Sequence, residues 1–354
     1  MKKILDIVKR IEPVNTAIVE KTQKRLDNLT KPLGSLGRLE ELAKQICGIT
    51  GKDSPVLKNK IIFTFAGDHG VTEEKISPFP KEVTAQMVYN FLNGGAGINV
   101  LARHVGAEVV VADLGVAGDL KIHPELIIKK VNYGTKNMAQ GPAMSREEAK
   151  RAIEAGIDIF EANFKKGLDI AGTGDMGIGN TTSSSAITSC FTGVPVEEIT
   201  GRGAGLDDLG LKNKIKVIKK ALEINKPNPQ DALDVLAKVG GFEIGGLAGI
   251  ILAGAAHKVP VVIDGFISGA AALIAYHIEP KTKEYMLASH CSVEIGHKII
   301  LEHIGLRPLF NLDFRLGEGT GAALGISLAD AAVKILTEMA TFESAKVSNK
   351  SDKG

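Results

Sequence analysis

A carboxylate flanked by glycines stands just before an apolar helical segment near the end of the chain. Glu318 lies between Gly317 and Gly319 in "DFRLGEGTGAALG", residues 313–325. Its small neighbours leave room for a ligand, and a nearby helix N-terminus would stabilise its ionised form. Such a carboxylate can act as a general base that takes a proton from a substrate. An ordinary first-turn acid produces the same pattern, and for Glu318 taken alone that simpler interpretation is the better one.

A glycine-rich loop, "GTGDMGIGNTT" at residues 172–182, offers a second site for chemistry. Gly172, Gly174 and Gly177 match the G-x-G-x-x-G spacing of dinucleotide-binding turns, which is a weak signal by itself. The expected acid about 20 residues further on is missing from any convincing strand. Asp175 would also place a negative charge beside a pyrophosphate. NAD binding is therefore the weaker interpretation of this loop.

The same loop continues past its third glycine as "GIGNTT", and this part is typical of an anion site. Its successive backbone N–H groups have little side-chain cover, and Thr181 or Thr182 begins a helix. Such an arrangement suits one phosphate of a mononucleotide. The alternative is a tight structural turn in which Thr182 and Ser183 only cap the helix.

Other candidate residues are spread along the chain. Arg202 and Lys214 in "GRGAGLDDLGLKNK" could contact a phosphate, or could be ordinary surface residues. Two prolines, the second being Pro80, fix a loop before a helix whose Gln86 could bind a flat heterocycle or face solvent. The histidines and acids in "FAGDHGV" and "SHCSVEIGH" match no standard metal-ligand spacing, so we expect no metal site.

Composition narrows the class of protein. The chain has 354 residues, a formal net charge of +2 and 40 glycines. It contains no basic run long enough for a nucleic-acid track and no uninterrupted apolar stretch of membrane-spanning length. Cys47, Cys190 and Cys291 are widely separated and form no CxxC motif. We therefore expect a cytoplasmic enzyme with no nucleic-acid partner, no membrane span and no disulfide framework.

Six short apolar runs must position these residues, because each ends in a polar or glycine-rich turn. They lie at 60–70, 107–119, 126–132 (the weakest), 167–177, 259–266 and 285–292. Alternating with helical periodicity, such runs predict buried parallel strands joined by right-handed crossovers. The prediction is an α/β, Rossmann-like doubly wound fold with a mostly parallel sheet of about six strands. Ligand sites in such sheets lie at the carboxyl ends of the strands.

The predicted division of the chain assigns residues 56–319 to the Rossmann-like catalytic domain. Residues 1–55 and 320–345 would form a small helical subdomain, and 346–354 a flexible tail. Two helix starts are specific enough to test: Ser35 as the cap of "SLGRLEELAKQICGI" and Ser145 as the cap of a helix ending at 164.

The motifs taken together are far more specific than any one of them. "TKPLGSLGRLE", "FAGDHGV", "SPFPKEVTAQMV", "GTGDMGIGNTT", "GRGAGLDDLGL", "SHCSVEIGH" and "RLGEGTGAALG" occur in this order. The chain thereby resembles the nicotinate-nucleotide–dimethylbenzimidazole phosphoribosyltransferases from about residue 28 to residue 342. This resemblance implies a homodimer with a Rossmann-like core that needs no cofactor and no metal.

The resemblance also implies a reaction and a set of residues. Nicotinate mononucleotide and 5,6-dimethylbenzimidazole would give α-ribazole 5′-phosphate and nicotinate, with inversion at C1′. Glu318 falls on the family's general base, and Asp175 stands where the family usually has the longer Glu. The expected substrate-binding residues are Gly177, Ile178, Gly179, Asn180, Thr181, Lys214, Arg202, Gln86, Pro80, Ser292 and Gly317.

Two other functions remain open from the sequence. An NAD-dependent oxidoreductase depends on the G-x-G-x-x-G spacing alone. A non-catalytic nucleotide-binding protein of the same fold would bind the mononucleotide without releasing nicotinate. The acid at Glu318 and the intact "GIGNTT" loop argue against the second of these.

Overall fold

The computed structural model describes residues 2–348, and residues 349–354 of the predicted tail lie outside this range. Six strands form its sheet: β1 (Lys60–Gly67), β2 (Glu108–Gly115), β3 (Leu126–Ile128), β4 (Ile170–Met176), β5 (Val261–Ile263) and β6 (Met286–Ala288). The first helices are α1 (Lys2–Val8), α2 (Thr16–Asp27), α3 (Arg38–Thr50), α4 (Val83–Leu92), α5 (Gly97–Val105), α6 (Arg146–Phe164), α7 (Asn180–Thr192) and α8 (Val196–Ile199). They are followed by α9 (Asp208–Asn225), α10 (Ala232–Val239), α11 (Phe242–Ala256), α12 (Phe266–Ile278), α13 (Ile295–Ile304), α14 (Thr320–Glu338) and α15 (Phe342–Ala345). Gly70–Glu74 and Pro280–Tyr285 form 3₁₀ helices.

The sheet confirms the predicted fold class. Its strand order is β3-β2-β1-β4-β5-β6, and all five strand pairs are parallel. Each of the six apolar runs supplies one strand, including the weak run at 126–132. This is the doubly wound order, in which the chain reverses direction across the sheet between β1 and β4.

Helices cover both faces of the sheet because side chains alternate along each strand. Phe63 of β1 packs in a core with α6, α11 and α12, while the adjacent Ile62 packs on the opposite face with α3, α5 and α14. Helix α11 is buried along its whole length. A Cβ on Gly156 of α6 would lie 1.9 Å from the carbonyl oxygen of Gly246, so these two helices cross at glycine.

The helices from the two chain ends meet on one side of the sheet. Helix α14 packs against α2 and α3, and also against α5, β4 and β5. By length and composition α14 is apolar enough to cross a membrane. It is mostly buried in this core, however, so its composition is only weak evidence for a membrane span. The proposed boundaries of a separate helical subdomain stay a prediction.

One of the two predicted helix starts is correct. Ser145 accepts a hydrogen bond from the N–H of Glu148 and caps α6. The prediction for Ser35 is wrong, because α3 begins at Arg38 after the N-cap Gly37. The backbone N–H of Ser35 instead donates to the Pro32 carbonyl at 3.1 Å, within a turn that precedes the helix.

Candidate active site

A cleft of about 710 Å³ opens at the carboxyl ends of β4, β5 and β6. It collects segments that are far apart in the sequence, as the parallel sheet predicts. Most of the predicted site residues line it: Asp175, Gly177, Ile178, Gly179, Asn180, Thr181, Ser292, Gly317 and Glu318.

Glu318 is held at the cleft in a strained conformation. Its φ is +64°, in the left-handed region that residues with a Cβ rarely adopt. Its carbonyl oxygen accepts a hydrogen bond from the Thr64 hydroxyl at 2.9 Å, and its Oε2 accepts one from the N–H of Ile98 at 3.1 Å. Burial raises the pKa of the Glu318 carboxyl, and the Ile98 N–H acts in the opposite direction. The side chain is therefore a buried but oriented acid.

Asp264 anchors the segment that carries Glu318, and it is not among the residues predicted from the sequence. From the end of β5 its carboxylate accepts the N–H groups of Gly319 at 3.1 Å, Gly321 at 2.6 Å and Ala322 at 3.1 Å. Burial raises the pKa of Asp264 to about 6, although these three N–H groups lower it. The available signal was an acid directly after the apolar run "VPVVI".

Asp175 lies near the end of β4 and is buried in the wall of the cleft. Its Oδ2 accepts a hydrogen bond from Asn180 at 2.9 Å, whereas Oδ1 has no hydrogen-bond partner among residues 2–348. Burial raises the pKa of Asp175 well above its usual value, and Asp264 and Glu243 raise it further. A positive charge arriving in the cleft would favour the ionised form.

The loop from Gly177 to Asn180 joins β4 to α7 and presents backbone to the cleft. Gly177 passes so close to β1 that a Cβ would lie 2.2 Å from the Gly67 carbonyl oxygen. Gly179, with φ +95°, forms the N-cap of α7. The Ile178 N–H donates to the Thr84 hydroxyl at 3.1 Å and fixes the loop. The positive end of α7 therefore faces the cleft, which suits an anion.

Lys214 brings a positive charge to this loop from the interior of α9. It is 1% exposed, and its Nζ donates to the Thr181 hydroxyl at 2.7 Å and to the Gly201 carbonyl at 3.4 Å. Burial lowers the pKa of Lys214 to about 8, while the nearby Glu294 carboxylate raises it. A buried ammonium beside a helix N-terminus is a combination well suited to a phosphate group.

Comparison with known proteins identifies the family of this chain. A family model described as "Phosphoribosyltransferase" matches residues 11–347. The chain belongs to this family. Nicotinate-nucleotide–dimethylbenzimidazole phosphoribosyltransferases from Desulforudis audaxviator and Geobacter sulfurreducens are 59% and 55% identical over 341 and 347 residues. The aligned parts cover 96% and 98% of this chain and 97% and 99% of those relatives.

Solved structures agree with the sequence relatives. A nicotinate-nucleotide–dimethylbenzimidazole phosphoribosyltransferase from Thermus thermophilus superposes with a TM-score of 0.90 at 43% identity, covering 95% of this chain and 99% of that chain. A structure named CobT from the same organism gives a TM-score of 0.91 at 44% identity, covering 94% and 99%.

Three of the predicted residues are exposed and do not line the cleft of this phosphoribosyltransferase. Arg202 is exposed and pairs with Asp208 on the surface, and Gln86 and Pro80 are also exposed. Lys214 does not line the cleft itself and reaches it through Thr181. Helix α4 and its preceding loop contribute other side chains instead, namely Phe79, Val83 and Met87. Val83 and Met87 share one helix face because they are four residues apart.

The histidines near the cleft of this phosphoribosyltransferase have structural partners. His290 stacks on Phe314 with ring centroids 4.1 Å apart and forms a flat wall of the cleft. Burial lowers the pKa of His290 to about 4, so this wall is uncharged at neutral pH. His69 contacts the buried Glu243 at 2.5 Å and Ser183 at 3.0 Å beneath the glycine loop. Within residues 2–348, no three His, Cys, Asp or Glu side chains are placed to hold a metal ion.

Proposed function

We propose that the enzyme transfers the phosphoribosyl group of nicotinate mononucleotide to 5,6-dimethylbenzimidazole, yielding α-ribazole 5′-phosphate and nicotinate for cobalamin synthesis. One observation carries the proposal. A single cleft joins a phosphate-binding side, made of Gly177–Asn180 with Lys214 behind it, to the buried base Glu318. The names of the relatives support the choice of substrates.

The donor half of the reaction needs little chemical assistance. The C1′–N bond breaks with its electron pair passing to the pyridinium nitrogen, so nicotinate leaves without a general acid. Positive charge then develops at the ribose C1′. Asp175 lies in the cleft with one oxygen free of protein partners in the described part of the chain, and its ionised form would stabilise that charge.

The acceptor half needs a base. A ring nitrogen of dimethylbenzimidazole forms the new bond to C1′ from the face opposite the departing nicotinate, which inverts the configuration. The other ring nitrogen then loses its proton to Glu318. The N–H of Ile98 orients the Glu318 carboxylate and stabilises its ionised form before it accepts that proton.

The decisive experiment incubates the protein with both substrates and identifies the product and its anomeric configuration by NMR. We expect nicotinate release that depends on the benzimidazole, together with an α-nucleotide. Binding of nicotinate mononucleotide without nicotinate release would support the non-catalytic alternative. A thermal shift with NAD and detectable hydride transfer would support the oxidoreductase alternative.

We also infer that the enzyme works as a homodimer in the cytoplasm. Phe79 and Leu316 line the cleft although they are 49% and 59% exposed, and a second subunit would cover such apolar surface. Sedimentation at several protein concentrations tests the dimer, and a monomer at all of them would contradict it.

A further inference from the structure

Glu294 is another buried carboxylate of the cleft, and the mechanism above does not use it. It stands at the N-cap of α13, is 5% exposed and lines the cleft together with Ser292. Its backbone N–H donates to the Ser292 hydroxyl at 3.3 Å, which fixes the turn. Its Oε2 is buried and has no hydrogen-bond partner among residues 2–348.

The surrounding backbone is shaped to receive this carboxylate. A Cβ on Gly201 would lie 2.1 Å from the Oε2 of Glu294, so only glycine fits there. The adjacent Lys214 gives its hydrogen bonds to Thr181 and to the Gly201 carbonyl. The carboxylate thus forms part of the cleft wall on the proposed phosphate-binding side. Its Oε2 accepts no hydrogen bond from the described residues. A buried acceptor of this kind is costly unless a ligand supplies the donor.

The chemistry of the substrates limits what that donor can be. An ionised carboxylate only accepts hydrogen bonds, and it repels both the phosphate and the carboxylate of nicotinate mononucleotide. The N–H of the benzimidazole is consumed at Glu318. The ribose hydroxyls are the remaining donors, and they belong to the sugar that links C1′ to the phosphate.

We propose that Glu294 binds the donor nucleotide by accepting a hydrogen bond from a ribose hydroxyl. This inference rests on the proposed function, since it takes nicotinate mononucleotide as the donor. Glu294 would then select ribose over deoxyribose in the phosphoribosyl donor. Lys214 and the loop of α7 would recognise the phosphate that the two sugars share.

Calorimetric binding of three donors, without any acceptor base, tests the inference. The donors are nicotinate mononucleotide and its 2′-deoxy and 3′-deoxy analogues. The proteins are the wild type, Glu294→Gln, Glu294→Ala and the control Glu302→Gln, an exposed residue of the same helix α13. We expect the wild type and the control to bind nicotinate mononucleotide roughly ten- to a hundredfold more tightly than one of its two deoxy analogues, the one that lacks the recognised hydroxyl. The discrimination should shrink in Glu294→Gln and disappear in Glu294→Ala.

Two binding results would overturn the inference. Equal wild-type affinity for all three donors would show that no hydroxyl is recognised. An equal loss for all three donors in the Glu294 variants would show that Glu294 acts only through the charge of Lys214. If Glu294→Ala fails to fold, Glu294→Gln decides between these outcomes. If the wild type turns over nicotinate mononucleotide but does not discriminate between the sugars, only this inference is contradicted. If the wild type neither binds nor turns over nicotinate mononucleotide, the proposed function is contradicted as well.

Discussion

Helices α7 and α14 begin in the same way and yet face the cleft with different chemistry. Each follows a Gly-X-Gly turn, and each has a glycine N-cap in the left-handed region, Gly179 with φ +95° and Gly319 with φ +102°. At α14 the carboxylate of Asp264 accepts three N–H groups of the helix start. At α7 no acidic side chain of the described residues does so. The positive end of α14 is thus capped by a protein carboxylate, whereas that of α7 has no acidic cap among the described residues and suits an anion.

The residue between the two glycines differs accordingly. Ile178 donates its N–H to the Thr84 hydroxyl and carries no charge, so the proposed anion contacts of this turn would come from the other backbone amides. Glu318 has a strained φ of +64° and presents a carboxylate instead. The two turns show that the function of a Gly-X-Gly turn before a helix depends on whether a protein side chain caps the N-terminus of that helix. The α7 turn should control donor binding, and the α14 turn should control turnover.

Removing the base should have the largest effect on the α14 side. Glu318→Gln keeps the shape of the side chain but cannot take a proton, so we expect kcat to fall roughly 10²- to 10⁴-fold. The affinity for nicotinate mononucleotide should stay near that of the wild type. Steady-state kinetics with saturating substrates and calorimetry check both results. A variant that turns over at nearly the wild-type rate would show that the base is another group.

Asp264→Asn tests the cap that distinguishes α14 from α7. The amide places an NH₂ group against at least one of the N–H groups that the carboxylate now accepts, so the Glu318 segment should shift. We expect kcat to fall by about a hundredfold, because a shift of a catalytic group by about 1 Å can cost that much. We also expect a lower Tm. Donor affinity should change little. A kcat loss equal to the loss in donor affinity would instead mean that the two turns are not independent.

Lys214→Met tests the α7 side, with the opposite split between binding and turnover. We expect donor affinity to fall by only roughly tenfold, because Lys214 reaches the proposed phosphate site through Thr181 and the amides of the α7 turn remain in the variant. Burial lowers the pKa of Lys214 to about 8, so its positive charge is present below that pH and is lost above it. Wild-type donor affinity should therefore weaken as the pH rises through this value. Calorimetry across the neutral and alkaline range should show no such decline in the variant.

The sequence was sufficient for the sheet and for the two turns, because both depend on local patterns. Apolar runs with glycine turns placed all six strands, and the small residues around Glu318 indicated room for a ligand. Asp264 and Glu294 could not be assigned in the same way. Their roles depend on contacts with Gly319 and Gly201, which are distant from them in the chain.

The rotation of α4 about its own axis could not be predicted from the sequence either. The apolar periodicity located α4, but which of its faces meets the cleft depends on the packing of neighbouring elements. The structure directs Val83 and Met87 toward the cleft and leaves Gln86 exposed. The predicted acceptor contact of Gln86 thus needs a movement of α4 or a second subunit.

Asp175→Asn should have the smallest effect, a loss of only severalfold in kcat. Burial and the neighbouring acids Asp264 and Glu243 raise the pKa of Asp175 and so disfavour its ionised form, whereas a cation in the cleft favours it. Asparagine keeps an oxygen dipole directed at C1′ and loses only that charge. Side-by-side kinetics of this variant and Glu318→Gln rank the two acids. A larger loss for Asp175→Asn would reverse their roles, and the cleft would then depend more on stabilising the positive charge that develops at the ribose C1′ than on deprotonating the acceptor.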